Sequence, residues 1–278
     1  PSSWHGVTTA VMGNCGVGFA PVYARNRDRL IELMEGVEDI PGTALHEGIP
    51  WQWETFPQYL SFLESLPRDI DLGAQAPHAA IRVHAMGERA IARQAATPDE
   101  IERMAQATRE AIEAGALGFS TSRTVNHRSI SGEHIPTLRA EADELMAIAR
   151  AMGKIGRGVM QVVSDRLDRV DEMDLLERMA QESGRPMSIS LAQSNRKPDI
   201  WKPFLERISE ANARGIPMRA QVAARAIGLM LGLEATLNPF MYSPAYQAIA
   251  HLPLAERVAR MRDAAVRRAI IEQTTVDP

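Results

Sequence analysis

Gly184-Arg185-Pro186-Met187 and, about thirty residues on, Gly215-Ile216-Pro217-Met218 share one pattern. In each, a glycine stops an amphipathic stretch and a proline opens an apolar run. The stretches are helices over 171–183 and 200–214, and the runs are strands over Pro186–Gln193 and Pro217–Ala223. A further strand start near 156 keeps the same interval, the length of one strand-helix unit. Buried strands alternating with amphipathic helices make a parallel sheet.

The alternation extends back to the first residues. Gly6-Val7-Thr8-Thr9-Ala10-Val11-Met12-Gly13-Asn14-Cys15-Gly16 reads as a strand covered on both faces, running into a tight turn. It holds the single cysteine. A helix is expected over 27–38, a Pro/Gly-rich link over 40–50 and an amphipathic segment over 51–66. Asp71–Pro77 reads as the next strand. Thr97-Pro98-Asp99-Glu100 is a capping-box start, followed by a face of Ile101, Met104, Ala105, Thr108, Ala111 and Ile112. Strands at 116–122 and 158–163 flank a polar loop at 123–136 and a helix at 138–152 ended by Gly153.

That makes six strands. A doubly wound sheet accommodates six, whereas a (β/α)8 barrel needs eight. No Gly-x-Gly-x-x-Gly or phosphate-binding loop follows any strand, which removes the usual reason for an open nucleotide-binding sheet. The expected fold is therefore an α/β, TIM-like barrel lacking its first and last strands. It is read as one partial barrel domain over 1–278, with a helical insertion at about 23–70. The chain opens without methionine and stops without a closing element, so it reads as part of a longer protein.

Composition narrows the function. The 278 residues are 45% hydrophobic and 24% charged, with a formal net charge of −4. Neither nucleic acid nor a membrane is an expected partner, because no basic patch and no membrane-length apolar run occurs. One cysteine excludes an internal disulfide and suits a reducing compartment, here taken as the cytoplasm.

In a barrel, chemistry collects at the C-terminal ends of strands. Those positions hold Asn14 and Cys15, then His78 with Arg82 beyond it. Next come Ser120 to Arg123 with His127, then Gln161, Ser164 and Asp165, then Gln193, Ser194 and Asn195, then Gln221 and Arg225. Gln161, Gln193 and Gln221 each interrupt an apolar strand. A buried amide needs partners, so these three either line one pocket or bond to one another across strands. His46, His84, His134 and His251 sit in polar stretches and read as solvated.

Several strings resemble the N-acyl-D-amino-acid deacylases, the D-aminoacylase branch of the metal-dependent amidohydrolases. They are His5-Gly6-Val7-Thr8-Thr9 through Gly13-Asn14-Cys15-Gly16, Trp51 to Leu60, and Pro77-His78 with Arg82 and Met86-Gly87. Glu110 to Ser120 and Leu237-Asn238-Pro239-Phe240 complete the set. The resemblance implies zinc-assisted hydrolysis of a small N-acyl amino acid, in which metal-bound water attacks the amide. It implies Cys15 as a zinc ligand. His78 and Arg82 match a family position near the active-site face and are read as substrate-side groups or as structural anchors of a loop; Arg123, Gln161, Gln193 and Gln221 are read as substrate-side groups from their places at the strand ends. The family's His-x-His and its proton-shuttling aspartate match nothing in this chain, so the catalytic residue is unassigned and Asp277 is not its equivalent. The stretches that match the histidine-bearing strands, Val159–Ser164 and Ser188–Asn195, contain no histidine. Two other functions stay open: a catalytically silent relative binding a small carboxylate or amide, and an amidohydrolase for a cyclic amide or heterocycle. The isolated chain is expected to be inactive.

Overall fold

The computed structural model describes residues 2–193, 198–223, 231–235 and 238–273. The chain divides into two compact units, 1–224 and 225–278.

In the first unit, six strands form one parallel sheet whose spatial order is the chain order, β1 to β6. They are β1 (Thr9–Met12), β2 (Asp71–Pro77), β3 (Gly118–Arg123), β4 (Val159–Ser164), β5 (Met187–Ser190) and β6 (Met218–Gln221). A doubly wound sheet reverses direction partway; sequential order does not. The sheet is a curled, incomplete barrel of the (β/α) type, as the alternation implies.

Between β1 and β2 lie α1 (Arg27–Glu38), α2 (Gly42–Gly48) and α3 (Phe56–Ser65). After β2 come α4 (His78–Met86), α5 (Glu88–Ile91) and α6 (Pro98–Glu113). Single helices follow the later strands: α7 (Ala142–Ile155), α8 (Val170–Ser183) and α9 (Trp201–Ala213). The second unit holds α10 (Pro244–Gln247), α11 (Leu254–Arg262) and α12 (Ala264–Glu272).

The two faces of the sheet differ in chemistry. Ala74, Ala76, Phe119, Met160, Val162, Met187, Ile189 and Met218 share one face and pack beneath the helices. Met104 and Ile112 of α6, Ile148 and Met152 of α7, and Leu176 and Met179 of α8 meet them there. Residues alternate across a strand, so the other face carries Gln75, Ser120, Gln161, Ser188 and Gln221.

Several local expectations change. β1 is an edge strand rather than a covered one, with Val11 50% exposed. The 40–50 link contains α2, which buries Leu45. Gly153 does not end α7; it stays within the helix against Ser183 of α8, and Gly156 ends the helix in the left-handed conformation. β5 stops at Ser190, three residues short of Gln193. Ser194, Asn195, Arg225 and Leu237 lie outside the described residues.

Candidate active-site face

The turn after β1 lies across the strand ends. Gly13 and Gly16 both have positive φ, and Gly16 N–H bonds Gly13 O at 3.4 Å. A Cβ on Gly16 would sit 2.8 Å from Thr121 Cα, so the backbone passes directly over β3. Cys15, between these glycines, packs with the small cluster of Val17, Leu33 and Ala79, beside Met34 and Val125. Burial pushes its thiol pKa up and the nearby Glu38 carboxylate adds to this, outweighing a hydrogen bond from Val17. The side chain is therefore a thiol rather than a thiolate.

His78 begins α4 directly after β2 and is fully buried between helices and sheet. Its Nδ1 lies 2.8 Å from Thr121 Oγ1. Its Nε2 lies 2.9 Å from Glu144 Oε1 but off the donor direction, leaving no aligned hydrogen bond. Burial holds the imidazole below its usual range, against the pull of Glu144, so it is neutral at pH 7. Glu144, on the first turn of α7, is pulled up by burial but held below the usual carboxylate range by His78 and Arg82. Arg82 is completely buried, one α4 turn beyond His78. It donates to Glu144 Oε1 at 2.9 Å, to Pro136 O at 3.1 Å and to Gln94 O at 2.7 Å.

Arg123 repeats this arrangement one strand-helix unit later. It donates to Glu172 Oε1 of α8 at 2.7 Å and to Ala140 O at 2.6 Å, while Ser164 Oγ donates to the same carboxylate oxygen at 2.8 Å. Arg93 to His134 O, at 3.1 Å, and Arg166 to Leu138 O, at 3.3 Å, complete a set. Four guanidinium groups thus hold alternate carbonyls, from His134 to Ala140, of the loop between β3 and α7. The loop sets His127 Nδ1 2.8 Å from Ser122 Oγ. Burial lowers the His127 pKa, opposed by Asp165.

The opposite face carries an amide chain. Gln75 Nε2 donates to Gln161 Oε1 at 2.6 Å, and Gln161 Nε2 donates to Gln221 Oε1 at 2.8 Å. Ser188 Oγ donates to that same Gln221 oxygen at 3.1 Å. The glutamines come from β2, β4 and β6. Strands lie about 4.8 Å apart, so each pair spans about 10 Å and must reach over a strand. Gly118 and Ser120 on β3, and Ser188 and Ser190 on β5, are short enough to permit it. The register supports a barrel layer. Gln161 aligns through Ser120 with Pro77 and through Ser188 with Arg219. Gln75 lies two residues before Pro77, and Gln221 two residues after Arg219. This steady stagger, with alternate strands filling a layer, is that of a tilted (β/α) barrel.

The residues singled out from sequence therefore separate into two groups. Gln161 and Gln221 meet on one face. His78, Arg82 and Arg123 lie between the sheet and its helices, where Arg82 and Arg123 are held by buried carboxylates and loop carbonyls. Gln193 joins neither group, being exposed and bonded to Pro198 O at 3.2 Å. Gln75 takes the place expected for it. The signal was present, since Gly73-Ala74-Gln75-Ala76 also interrupts an apolar strand with an amide. Glu144 and Glu172 carried no such signal, because acidic residues are usual in first helical turns. His84, expected in solvent, is half-buried and stacks on Tyr23 with ring centroids 4.0 Å apart.

The described residues do not fit zinc on their own. No group of three or more His, Cys, Asp or Glu among them could hold a metal ion, so Cys15 does not meet two further such ligands there. Neutral amides such as Gln161 are poor substitutes for imidazole.

Sequential parallel strands, a helical outer layer and a polar opposite face define an incomplete (β/α) barrel of the enzyme-bearing type. The amidohydrolase family matches residues 1–275, and the chain belongs to it. The resemblance to the N-acyl-D-amino-acid deacylases is borne out by the relatives found. A D-aminoacylase of Alcaligenes xylosoxydans xylosoxydans is 28% identical over 156 residues, which is 56% of this chain and 28% of that protein. Two solved structures share the fold. An N-acyl-D-glutamate deacylase of Bordetella bronchiseptica, complexed with zinc and a phosphonate mimic of the tetrahedral intermediate, superposes with a TM-score of 0.62 at 22% identity. That superposition covers 80% of this chain and 43% of the deacylase. A D-aminoacylase structure gives 0.61 at 24% identity, again covering 80% and 43%. The chain thus spans less than half of each protein it matches.

No helix among the described residues is long and apolar enough to cross a membrane.

Proposed function

We propose that the protein containing this chain hydrolyses the C–N bond of an N-acylated D-amino acid. The observation that carries this reading is the family match over 1–275, with relatives that are D-amino-acid deacylases. The zinc and copper complexes among the structural neighbours support a metal in the complete protein. The described residues do not complete its site by themselves: Cys15 would contribute one ligand, and the other candidate residues substrate placement. Gln161 and Gln221 offer amide donors and acceptors on the polar face. His78, Arg82 and Arg123 act on substrate only indirectly, by fixing the strand ends and the loop beyond β3. The test is turnover of N-acyl-D- and N-acyl-L-amino acids by the full-length protein, followed as released amine. Release from the D series supports the reading; no release from any secondary amide overturns it.

A second reading has one observation in its favour: on the strands matching those that carry histidines in the family, Gln161 of β4 and Ser188 of β5 stand instead, both bonded to Gln221. On that reading the protein binds a small amide or carboxylate without cleaving it. Bound ligand with no release of amine and no stoichiometric metal is its expected signature.

A further inference from the structure

The amide chain has a direction, and its end is unfilled. Each link donates from the lower-numbered glutamine to the higher, so the acceptors of Gln161 and Gln221 are used. Gln75 has no glutamine before it. Its Oε1 is buried and has no hydrogen-bond partner. On the neighbouring strand, Ser120 is fully buried and its Oγ is likewise without a partner. Both side chains belong to the polar face, and Ser120 sits in register with Gln161, whose Oε1 holds the Gln75 amide in place. A buried acceptor left unmade costs on the order of 1–3 kcal/mol, so each of these two atoms is stabilised by a donor.

We propose that Gln75 Oε1 and Ser120 Oγ receive the N–H of a ligand's secondary amide. The Gln75-Gln161-Gln221 chain fixes the acceptor's orientation. This assigns Gln75 and Ser120 as positioning residues for an uncharged N–H group and rests on the N-acyl amino acid reading above. Gln75 cannot rotate to offer its own N–H there without breaking its bond to Gln161.

N-methylation tests this directly, because it removes the donor without adding charge. A panel of N-acetyl-D-amino acids and their N-methyl counterparts is titrated calorimetrically into the full-length protein, with amine release followed separately. For the tightest-binding member, the N–H form should bind about tenfold more tightly than its N-methyl form. In Ser120→Ala that ratio should fall toward one with the melting temperature near wild type, and in Gln75→Met it should fall likewise with a lowered melting temperature, since Gln161 Oε1 loses its donor. Equal affinities in the wild type overturn the proposal, and so does a ratio that persists in both variants. If amine is still released in either case, the hydrolase reading survives. Failure of every panel member to bind and to react overturns both.

Discussion

Glu144 shows how much one side chain holds together. Its carboxylate, 1% exposed, sits beside His78 and Arg82, and Arg82 passes the constraint on to Pro136. Breaking a buried ion pair by removing one partner leaves an uncompensated charge, costing about 3–5 kcal/mol. Glu144→Gln should therefore lower stability by an amount in that range in a denaturant titration. The same site sets a pH dependence. His78 and His127 are held below the usual imidazole range by burial, so the folded protein binds fewer protons there than the unfolded chain. Stability then rises with pH, and it is lost as pH falls below about 6.5, the unfolded imidazole value. The melting temperature should drop between pH 7.5 and 5.5, and His78→Gln should flatten that drop. A melting temperature independent of pH across that window would refute the assignment.

At the scale of elements, local sequence signals were legible where the chain satisfies its own backbone. Thr97-Pro98-Asp99-Glu100 opens α6 with both capping-box bonds formed. Thr97→Ala should cost about 1 kcal/mol, measured as a fall in the denaturation midpoint. Thr55-Phe56-Pro57-Gln58 carries the same signature and opens α3, a start readable from sequence but masked by the apolar stretch preceding it. The edge position of β1 was not readable, since an apolar strand looks alike whether or not a neighbour covers it. The strand-to-strand contact at Gly118 depends on its missing side chain. A Cβ there would overlap Val159 O, so Gly118→Ala should separate β3 from β4. It should break the amide chain that spans them, destabilising by about 1–3 kcal/mol in thermal or chemical denaturation.

For the whole molecule, the amino-acid sequence alone determined the class of fold. Helix and strand periods, stop glycines and the thirty-residue recurrence are local properties, and in sequential order they admit few topologies. The sequence also carried the family, because the strings around Cys15 and Glu110 to Ser120 are contiguous. Only the tertiary structure decided which polar residues share a face. Gln75, Gln161 and Gln221 are far apart in the chain and meet because a tilted sheet staggers alternate strands by two residues. His78, Arg82 and Arg123 occupy strand ends as the others do, yet lie behind the sheet, among buried carboxylates on α7 and α8. A residue's side of a strand depends on register, and one position of shift reverses it. Register is fixed by packing between segments that the linear sequence does not place side by side.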